Sequence, residues 1–514
     1  MSCTRLLLAI AVAALSVPLL PVVHPLRAQI PAAEYAARRA QLASKLGDGV
    51  FVARGAVEPV QDYLSFFQSA GFTYLTGYRE AQASLLMTRR GGHVQWTLFV
   101  EPKNPAREVW SGQRNGPQRA ASLAGIPARS NRDFDAALDS ALATHGPLRL
   151  LADLSESGDT LNGDDAFVLR VRHRHPRVAI TGANALVMQM RGRKSATEQE
   201  LIRKAVAISM DAHREAMKAV RPGMNEFELQ ALVEYIFRRN GADRPAYASI
   251  VGSGPNATTL HYNRNDRFMS SGDMVVMDVA AQYRGYAADI TRSFPVSGRF
   301  TPEQRAVYQV VRDAQSAAER NAKPGREARV MSDSAQAVIA KGLATLGLIE
   351  SPDATYDCGD AARPRQCPQL QLYYMHGLGH GIGLEVHDPD QYYFTGIVAP
   401  GSAFTIEPGI YVRENLLDIL PRTPRNAALA ERIGSTVRIF ANIGVRIEDN
   451  YVVTESGVEW VSCGLPREAG EIEALMQGTY DGSPVRDEKK VEWYKGTEDA
   501  PAPRYGAPAS CVKM

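Results

Sequence analysis

The sequence predicts an α/β (α+β) protein of two domains, the second assembled from two α/β half-repeats. Three observations carry that reading. The chain has 514 residues, more than one hydrophobic core ordinarily serves. A pair of helices joined to strand-rich sequence occurs twice in the second half of the chain. Those strand-rich stretches also place lone carboxylates behind apolar runs, where a buried charge needs compensation.

The N-terminal segment stands apart from the rest. Arg5 supplies a single positive charge, Leu6 to Val23 is almost wholly apolar, and Ala28 offers a small residue before a cut, so residues 1–28 read as a signal peptide. Pro18 and Pro21 interrupt the apolar run and disfavour the alternative, an uncleaved anchor of about 20 residues. The expected location is exported, periplasmic or extracellular, with no stable membrane span after signal cleavage. Export leaves four cysteines, Cys358, Cys367, Cys463 and Cys511. The simplest pairing closes Cys358 to Cys367 across a Gly/Asp/Pro/Arg-rich loop and ties Cys463 to Cys511, with four unpaired thiols as the alternative.

Residues 29–185 alternate helical stretches with strand-like runs such as Ser84–Thr88 and Val94–Val100, at the size of one α/β domain. The basic run Arg170–Arg177 near its end reads as a solvated face rather than a phosphate site.

The second domain, residues 190–465, opens on a capping box. Ser195-Ala-Thr-Glu198 precedes the amphipathic run Leu201 to Val220, Arg221-Pro-Gly223 stops it, and a second helix follows from Glu226 to Arg238. The pattern recurs where Thr301-Pro302 opens a helix, Lys323-Pro-Gly325 closes it, and another leads to Leu346-Gly347. Between the two helix pairs, Asp273–Val279 and Tyr286–Phe294 flank Gln282-Tyr-Arg-Gly285 as a predicted hairpin. Asp278 and Asp289 lie one on each arm, eleven residues apart, so the arms can bring both carboxylates together. Residues 466–514 form a C-terminal extension, and from Gly478 onward its Pro, Gly and charge content predicts little independent structure.

Asp278 follows Val275-Val-Met277, Asp289 follows Ala287-Ala288, Glu407 lies in Phe404-Thr-Ile-Glu-Pro-Gly409 and Glu448 in Val445-Arg-Ile-Glu-Asp449. Each aims charge at a buried sheet face, which calls for hydrogen bonds or a metal. Three of the ten histidines fall in one tract, His376-Gly-Leu-Gly-His380-Gly-Ile-Gly-Leu-Glu-Val-His387-Asp388, whose glycines let backbone and side chains approach one centre. Asp278, Asp289, His380, Glu407 and Glu448 form an oxygen-rich set without thiolate, suited to two divalent ions: Mn(II), with Co(II) or Zn(II) also fitting. Two such ions can share a water or hydroxide, lower its pKa and direct it at a carbonyl carbon. Rival hydrolytic chemistries lack their motifs, for the chain contains neither Gly-x-Ser-x-Gly nor His-Glu-x-x-His. A net charge of +2 provides no global pull toward nucleic acid, and no nucleic-acid partner is expected.

Taken together, Ile250-Val-Gly-Ser-Gly254, Asn256, Leu260-His261-Tyr262, the Asp278/Asp289 pair, the His376–Asp388 tract, Glu407-Pro-Gly409 and Arg446-Ile-Glu448 resemble the pita-bread-fold metallopeptidases. Within that family the likeness is to the proline-specific branch, aminopeptidase P and prolidase. Phe72-Thr-Tyr-Leu-Thr-Gly77 and Arg107-Glu-Val-Trp-Ser-Gly112 resemble the creatinase-type N-terminal domain of aminopeptidase P. The resemblance implies a creatinase-like domain over 29–185 and a pita-bread catalytic domain over 190–465. It further implies that Asp278 and Asp289 bind one metal, that Asp289 and Glu448 bridge to a second, and that His380 and Glu407 complete the second. Glu407 would also act as general base on the shared water. His261 and His387 would line the substrate cleft and help with proton transfer, His376 and Arg446 would support the site, and Tyr411 would pack nearby.

The reaction this implies is removal of the first residue from peptides with proline at the second position, by a homodimer or homotetramer. Two alternatives stay open: cleavage of the Xaa-Pro dipeptide alone, and a catalytically inactive binding relative. The stretch from Glu414 to Val437 and the tail beyond Gly464 are longer than the resemblance leads one to expect, and at a cleft entrance they would restrict substrate length. His93, His145, His173, His175 and His213 have no such company and read as surface or structural residues.

Overall fold

The computed structural model describes residues 30–61, 64–152 and 163–480. The expected signal segment, Cys511 with its expected bond to Cys463, and the tail beyond 480 lie outside the described residues. Among those described, no helix is long and apolar enough to cross a membrane.

The N-terminal region is built on a six-stranded mixed sheet. Its order is Ala128–Ser130, His93–Val100, Ser84–Arg90, Gly49–Arg54, Leu148–Leu150, Ile180–Gly182. Strand alternation divides its side chains between two cores. Val50, Val52, Leu86 and Phe99 pack with Phe134, Leu138 and Phe167 of the helices on one face. Phe51, Ala53, Leu85, Met87 and Leu98 join a core that runs on into the second region. Polar contacts reinforce that junction: Ser195 Oγ donates to Glu34 (2.8 Å), and Arg38 lies 3.2 Å from Glu198, which Tyr286 of the second region also holds (2.8 Å). The basic run lies on an exposed face, as expected, with Arg170, Arg172, His173, Arg174 and Arg177 all exposed, and Arg174 and His175 also pair with Asp139 of a neighbouring helix.

The second region begins with helix Ala196–Ala219, capped as its sequence predicts: Ser195 Oγ accepts from the Glu198 N–H and the Glu198 carboxylate accepts from Ser195 N–H. Such a cap contributes about 1 kcal/mol. The same box starts helix Glu226–Arg239 at Asn225 and helix Pro302–Asn321 at Thr301, and helix Arg329–Thr345 completes the second pair. Each half also contains a three-stranded antiparallel sheet. The strands are Ile250–Ser253, Met274–Asp278 and Thr291–Pro295 in the first half, and Ala403–Ile406, Asp449–Thr454 and Gly457–Trp460 in the second.

In both halves the central hairpin breaks midway while keeping its register. In the first, Asp278 pairs with Thr291 at the base and Gln282 with Ala287 toward the tip, which turns at Arg284-Gly285, both at positive φ. In the second, Ile406 pairs with Asp449 at the base and Gly409 with Arg446 toward the tip. Pro408 lies in that gap and has no N–H to contribute to a ladder. Because the register matches on both sides of each break, Glu407 stands opposite Glu448, and Asp278 shares a sheet face with Asp289. Asp289, Glu407 and Glu448 thus lie at the interruptions of the two hairpins, and Asp278 is the last residue of its strand before one.

The long interval between the arms of the second hairpin folds into helix Pro424–Phe440. It packs on a small hairpin, Thr355–Cys358 with Arg365–Pro368, which is stapled by the Cys358–Cys367 disulfide (Cα–Cα 5.8 Å). Asn426 joins the two, accepting from Asp357 N–H (3.0 Å) and donating to Asp357 C=O (2.8 Å). That disulfide is the local pairing expected from the sequence.

Candidate metal centre

The histidine tract reaches the carboxylates by lying alongside strand Ala403–Ile406. Thr405 N–H donates to His380 C=O (2.9 Å), Glu407 N–H to Leu378 C=O (2.8 Å), and His380 N–H to Thr405 Oγ (3.1 Å). Two glycines allow this closeness. A Cβ on Gly379 would stand 2.7 Å from the Thr405 carbonyl oxygen, and one on Gly381 2.7 Å from that of Asp388.

Asp289, His380 and Glu448, all buried, bring ligand atoms within 4.8 Å of one another. His380 Nε2 lies 3.3 Å from both Asp289 Oδ2 and Glu407 Oε1. Its Nδ1–H donates to the Gly381 carbonyl (3.1 Å), which turns the Nε2 lone pair toward the carboxylates. Asp278 is held beside this group rather than inside it. The Tyr247 hydroxyl sits 2.5 Å from Asp278 Oδ1 and 2.6 Å from Asp289 Oδ1, one proton serving both, while Arg446 Nη2 donates to Asp278 Oδ2 (2.7 Å). Thr291 donates to Glu448 Oε2 (2.7 Å), but Glu448 Oε1 has no hydrogen-bond partner among the described residues.

Burial raises the pKa of three of these carboxyls. Burial, then Asp278 and Glu407, push Asp289 well above its ordinary range, and burial, then Asp289 and Asp278, do the same to Glu448. Burial and Glu448 lift Glu407 to about 8. Asp449, the next residue in the chain, is the opposite case. Burial raises it too, yet Arg292 and Arg467 outweigh that and hold it at about 2, with Arg292 Nη2 donating at 2.8 Å. One carboxylate therefore comes with two arginines paired to it, while its neighbour has no ion pair among the described residues and feels Arg446 only from a distance. A hard nitrogen-and-oxygen donor set, short of positive charge and with one orphaned oxygen, fits a divalent cation.

Around the centre, Arg446 is a hub. It donates to Asp278, to Tyr411 Oη (2.7 Å), to Thr291 Oγ (3.2 Å) and to the carbonyl of Leu260 (3.2 Å), the residue before His261. Tyr411 in turn donates to His376 Nε2 (2.9 Å), and His376 Nδ1–H donates to the Gly377 carbonyl (2.8 Å). Burial, then Arg446, lower His376 to about 3, so it works as a neutral acceptor. His387 is half exposed, its ring 3.8 Å from that of His380 and its Nδ1 2.6 Å from Asp390, and burial with His380 lowers its pKa. His261 is exposed and lies within electrostatic reach of both His376 and His387. All nine residues singled out in the sequence thus gather in one place.

The Arg446–Tyr411–His376 chain makes Tyr411 more than the nearby packing residue expected from its sequence. Tyr411→Phe leaves a buried donor and a buried acceptor unpaired, which costs about 1–3 kcal/mol. Loss of such an outer partner should lower kcat/KM about 10–100-fold. Melting curves and steady-state kinetics check this, and parent-like values in both would remove Tyr411 from the chain.

Sequence reasoning missed four residues that orient the ligands: Tyr247, Thr291, Thr405 and Asn450, which accepts from Asp289 N–H (3.0 Å). Three of them could have been found. Thr291, Thr405 and Asn450 each stand two residues from Asp289, Glu407 or Glu448, hence on the same strand face. Tyr247 carried no such signal. Its two contacts lie 31 and 42 residues away along the chain.

The chain is similar to known proteins over most of its length. Residues 200–455 match metallopeptidase family M24, and residues 35–149 match the aminopeptidase P N-terminal domain. The Xaa-Pro aminopeptidase of Haemophilus influenzae is 33% identical over 80% of this chain and 88% of its own length. The human Xaa-Pro dipeptidase is 31% identical over 88% of this chain and 94% of its own. The solved structure of the Pseudomonas aeruginosa aminopeptidase PepP, 34% identical, superposes with a TM-score of 0.72 over 87% of this chain and 98% of that one.

Proposed function

The chain belongs to metallopeptidase family M24, in its proline-specific branch with a creatinase-like N-terminal domain and a pita-bread catalytic domain, and from that premise we propose that it is an exported Xaa-Pro aminopeptidase working with two divalent ions. It is a metallo-exopeptidase, a hydrolase of divalent-metal type. The observation that carries the two-ion reading is the orphaned Glu448 oxygen amid carboxyls with raised pKa values, next to an Asp449 that has its own arginines.

Asp278 and Asp289 would hold one ion, Asp289 and Glu448 would bridge, and His380 and Glu407 would complete the other. Bound there, Mn(II), Co(II) or Zn(II) would supply Lewis-acid activation of the scissile carbonyl and a water acidic enough to ionise near neutral pH. Glu407, with its strong hold on a proton, would accept the proton of the attacking water at a carboxylate oxygen. His261 and His387, on the open side, would orient the scissile carbonyl and pass a proton to the leaving proline nitrogen. Arg446 and His376 would keep Asp278 and the cleft wall in place. The bond before proline is a tertiary amide without an N–H, so binding must do without the donor that general peptidases use.

The similarity of the human Xaa-Pro dipeptidase over nearly its whole length favours one second reading, cleavage of the dipeptide alone. Assaying Xaa-Pro against Xaa-Pro-Xaa peptides with Mn(II) separates the two. Release of the first residue from the tripeptide is the expected result, and exclusive cleavage of the dipeptide would reverse the choice. Export is supported by the apolar segment ahead of Ala28 and by the Cys358–Cys367 disulfide, and N-terminal sequencing of secreted material tests it. The same reading carries a homodimer or homotetramer, which light scattering decides.

A further inference from the structure

Each pair of metal-facing carboxylates sits at or beside an interruption of the strands, where few main-chain bonds join the arms: Val279 N–H to Ile290 C=O (3.2 Å) and Ala288 N–H to Ala281 C=O (3.1 Å) in the first half, and Ile447 N–H to Pro408 C=O (3.3 Å) in the second. In each half a buried side-chain donor adds to these sparse main-chain links between the arms. In the first half that donor is His213, fully buried on helix Ala196–Ala219. Its Nε2 lies 3.0 Å from the carbonyl oxygen of Val279 and 3.1 Å from that of Ile290, the residues that follow Asp278 and Asp289. Nδ1 has no partner among the described residues, so the proton belongs on Nε2, shared between two carbonyls on opposite arms.

The second half repeats the device with a different side chain. Gln315 is fully buried on helix Pro302–Asn321, the first helix of its own half. Its Nε2 lies 3.3 Å from the carbonyl oxygens of both Ile406 and Ile447, the residues that precede Glu407 and Glu448, and 2.9 Å from Asp449 Oδ2. The carbonyls follow the ligands in one half and precede them in the other. In both, a single nitrogen from the leading helix spans the two arms beside the carboxylate pair.

We propose that His213 and Gln315 are paired positioning residues, one per half-repeat, which set the spacing of the two carboxylate pairs and thereby the affinity of the metal centre. This rests on the two-ion reading of the site. His213 is the cleaner probe, because Gln315 also bonds Asp449.

The test is calorimetric titration of Mn(II) into the chelator-stripped full chain, parent against His213→Leu, His213→Asn and His213→Gln, with steady-state kinetics at saturating metal. His213→Leu should weaken Mn(II) binding about 10–100-fold, the range seen for partners of metal ligands. His213→Gln, which places an N–H donor where Nε2 stood, should recover most of that loss. His213→Asn is polar but too short to span both carbonyls, and should behave like leucine; it carries the test where the leucine variant fails to fold. Kinetically, kcat should fall with KM little changed, since no substrate contact is touched. Parent-like Mn(II) affinity in the folded leucine or asparagine variant would overturn the clamp, as would a glutamine variant no better than leucine. A parent chain that binds no divalent ion would overturn the two-ion reading and the clamp together.

Discussion

Glu448→Gln and His380→Ala are each expected to lower kcat/KM about 10³- to 10⁴-fold while leaving a folded protein. Metal-assisted activation of carbonyl and water supplies several kcal/mol, and each 1.36 kcal/mol is tenfold in rate. Among the described residues, Glu448 makes one hydrogen bond with its carboxylate, from Thr291, and its other oxygen has none, so the amide removes charge without opening a gap in the packing. Elemental analysis of the purified variants should show reduced divalent metal, and Mn(II) added to excess should restore only part of the rate. Parent-like turnover in both variants would show that the centre lies elsewhere. Asp449→Asn, one residue on, is a contrasting case. It strips Arg292 of its buried ion-pair partner and leaves Arg467 with Glu319 alone, and removing one member of such a pair costs about 3–5 kcal/mol, so stability rather than chemistry should suffer first.

The chelated protein should lose stability as pH rises from about 5 to about 9, by an amount on the order of a few kcal/mol. Asp289 and Glu448 have folded pKa values well above their ordinary range and Glu407 titrates near 8, so the folded state binds protons more tightly than the unfolded chain. Groups of that kind favour folding fully below the unfolded carboxylate range, and the benefit fades as pH climbs through the folded value. Asp449 is shifted the other way, to about 2, and its contribution is lost only in strong acid, outside this window. Mn(II) should cancel the trend by taking the place of the protons, with affinity that rises with pH. Melting temperatures across the pH range, with chelator and with Mn(II), read the first effect. Titration calorimetry in buffers of different ionisation enthalpy counts the protons released. Chelated protein that gains stability toward pH 9, or metal binding without proton release, would contradict this account of the site.

Much of the architecture was legible because it is written in short-range chemistry. The capping boxes at Ser195 and Thr301, the stops at Arg221-Pro-Gly223 and Lys323-Pro-Gly325, and the turn at Arg284-Gly285 depend on neighbours a few residues apart, and each stands where its residues predict. The site was legible for a different reason. Asp278, Asp289, Glu407 and Glu448 break the rule that buried strands are apolar, and the glycines around His380 announce close approach. What escaped was the material that acts across the fold. Nothing near Tyr247 in the sequence hints that its hydroxyl joins two aspartates, and His213 looked structural without a hint of what it holds. The interruption of the hairpins was equally hidden, since an apolar run ending in a carboxylate looks the same whether its ladder continues or stops.

The two broken hairpins differ in one respect that bears on how such a protein can change over time. The first closes at once through Arg284 and Gly285, whereas the second wanders through residues 413–442 and a whole helix before returning, yet both restore their register at the gap. The length of chain beyond the tip is therefore decoupled from the alignment of the ligands. Lineages can lengthen, shorten or replace what lies past Val412 without asking the carboxylates to move. Novelty at the rim and constancy at the centre are allowed by the same piece of geometry.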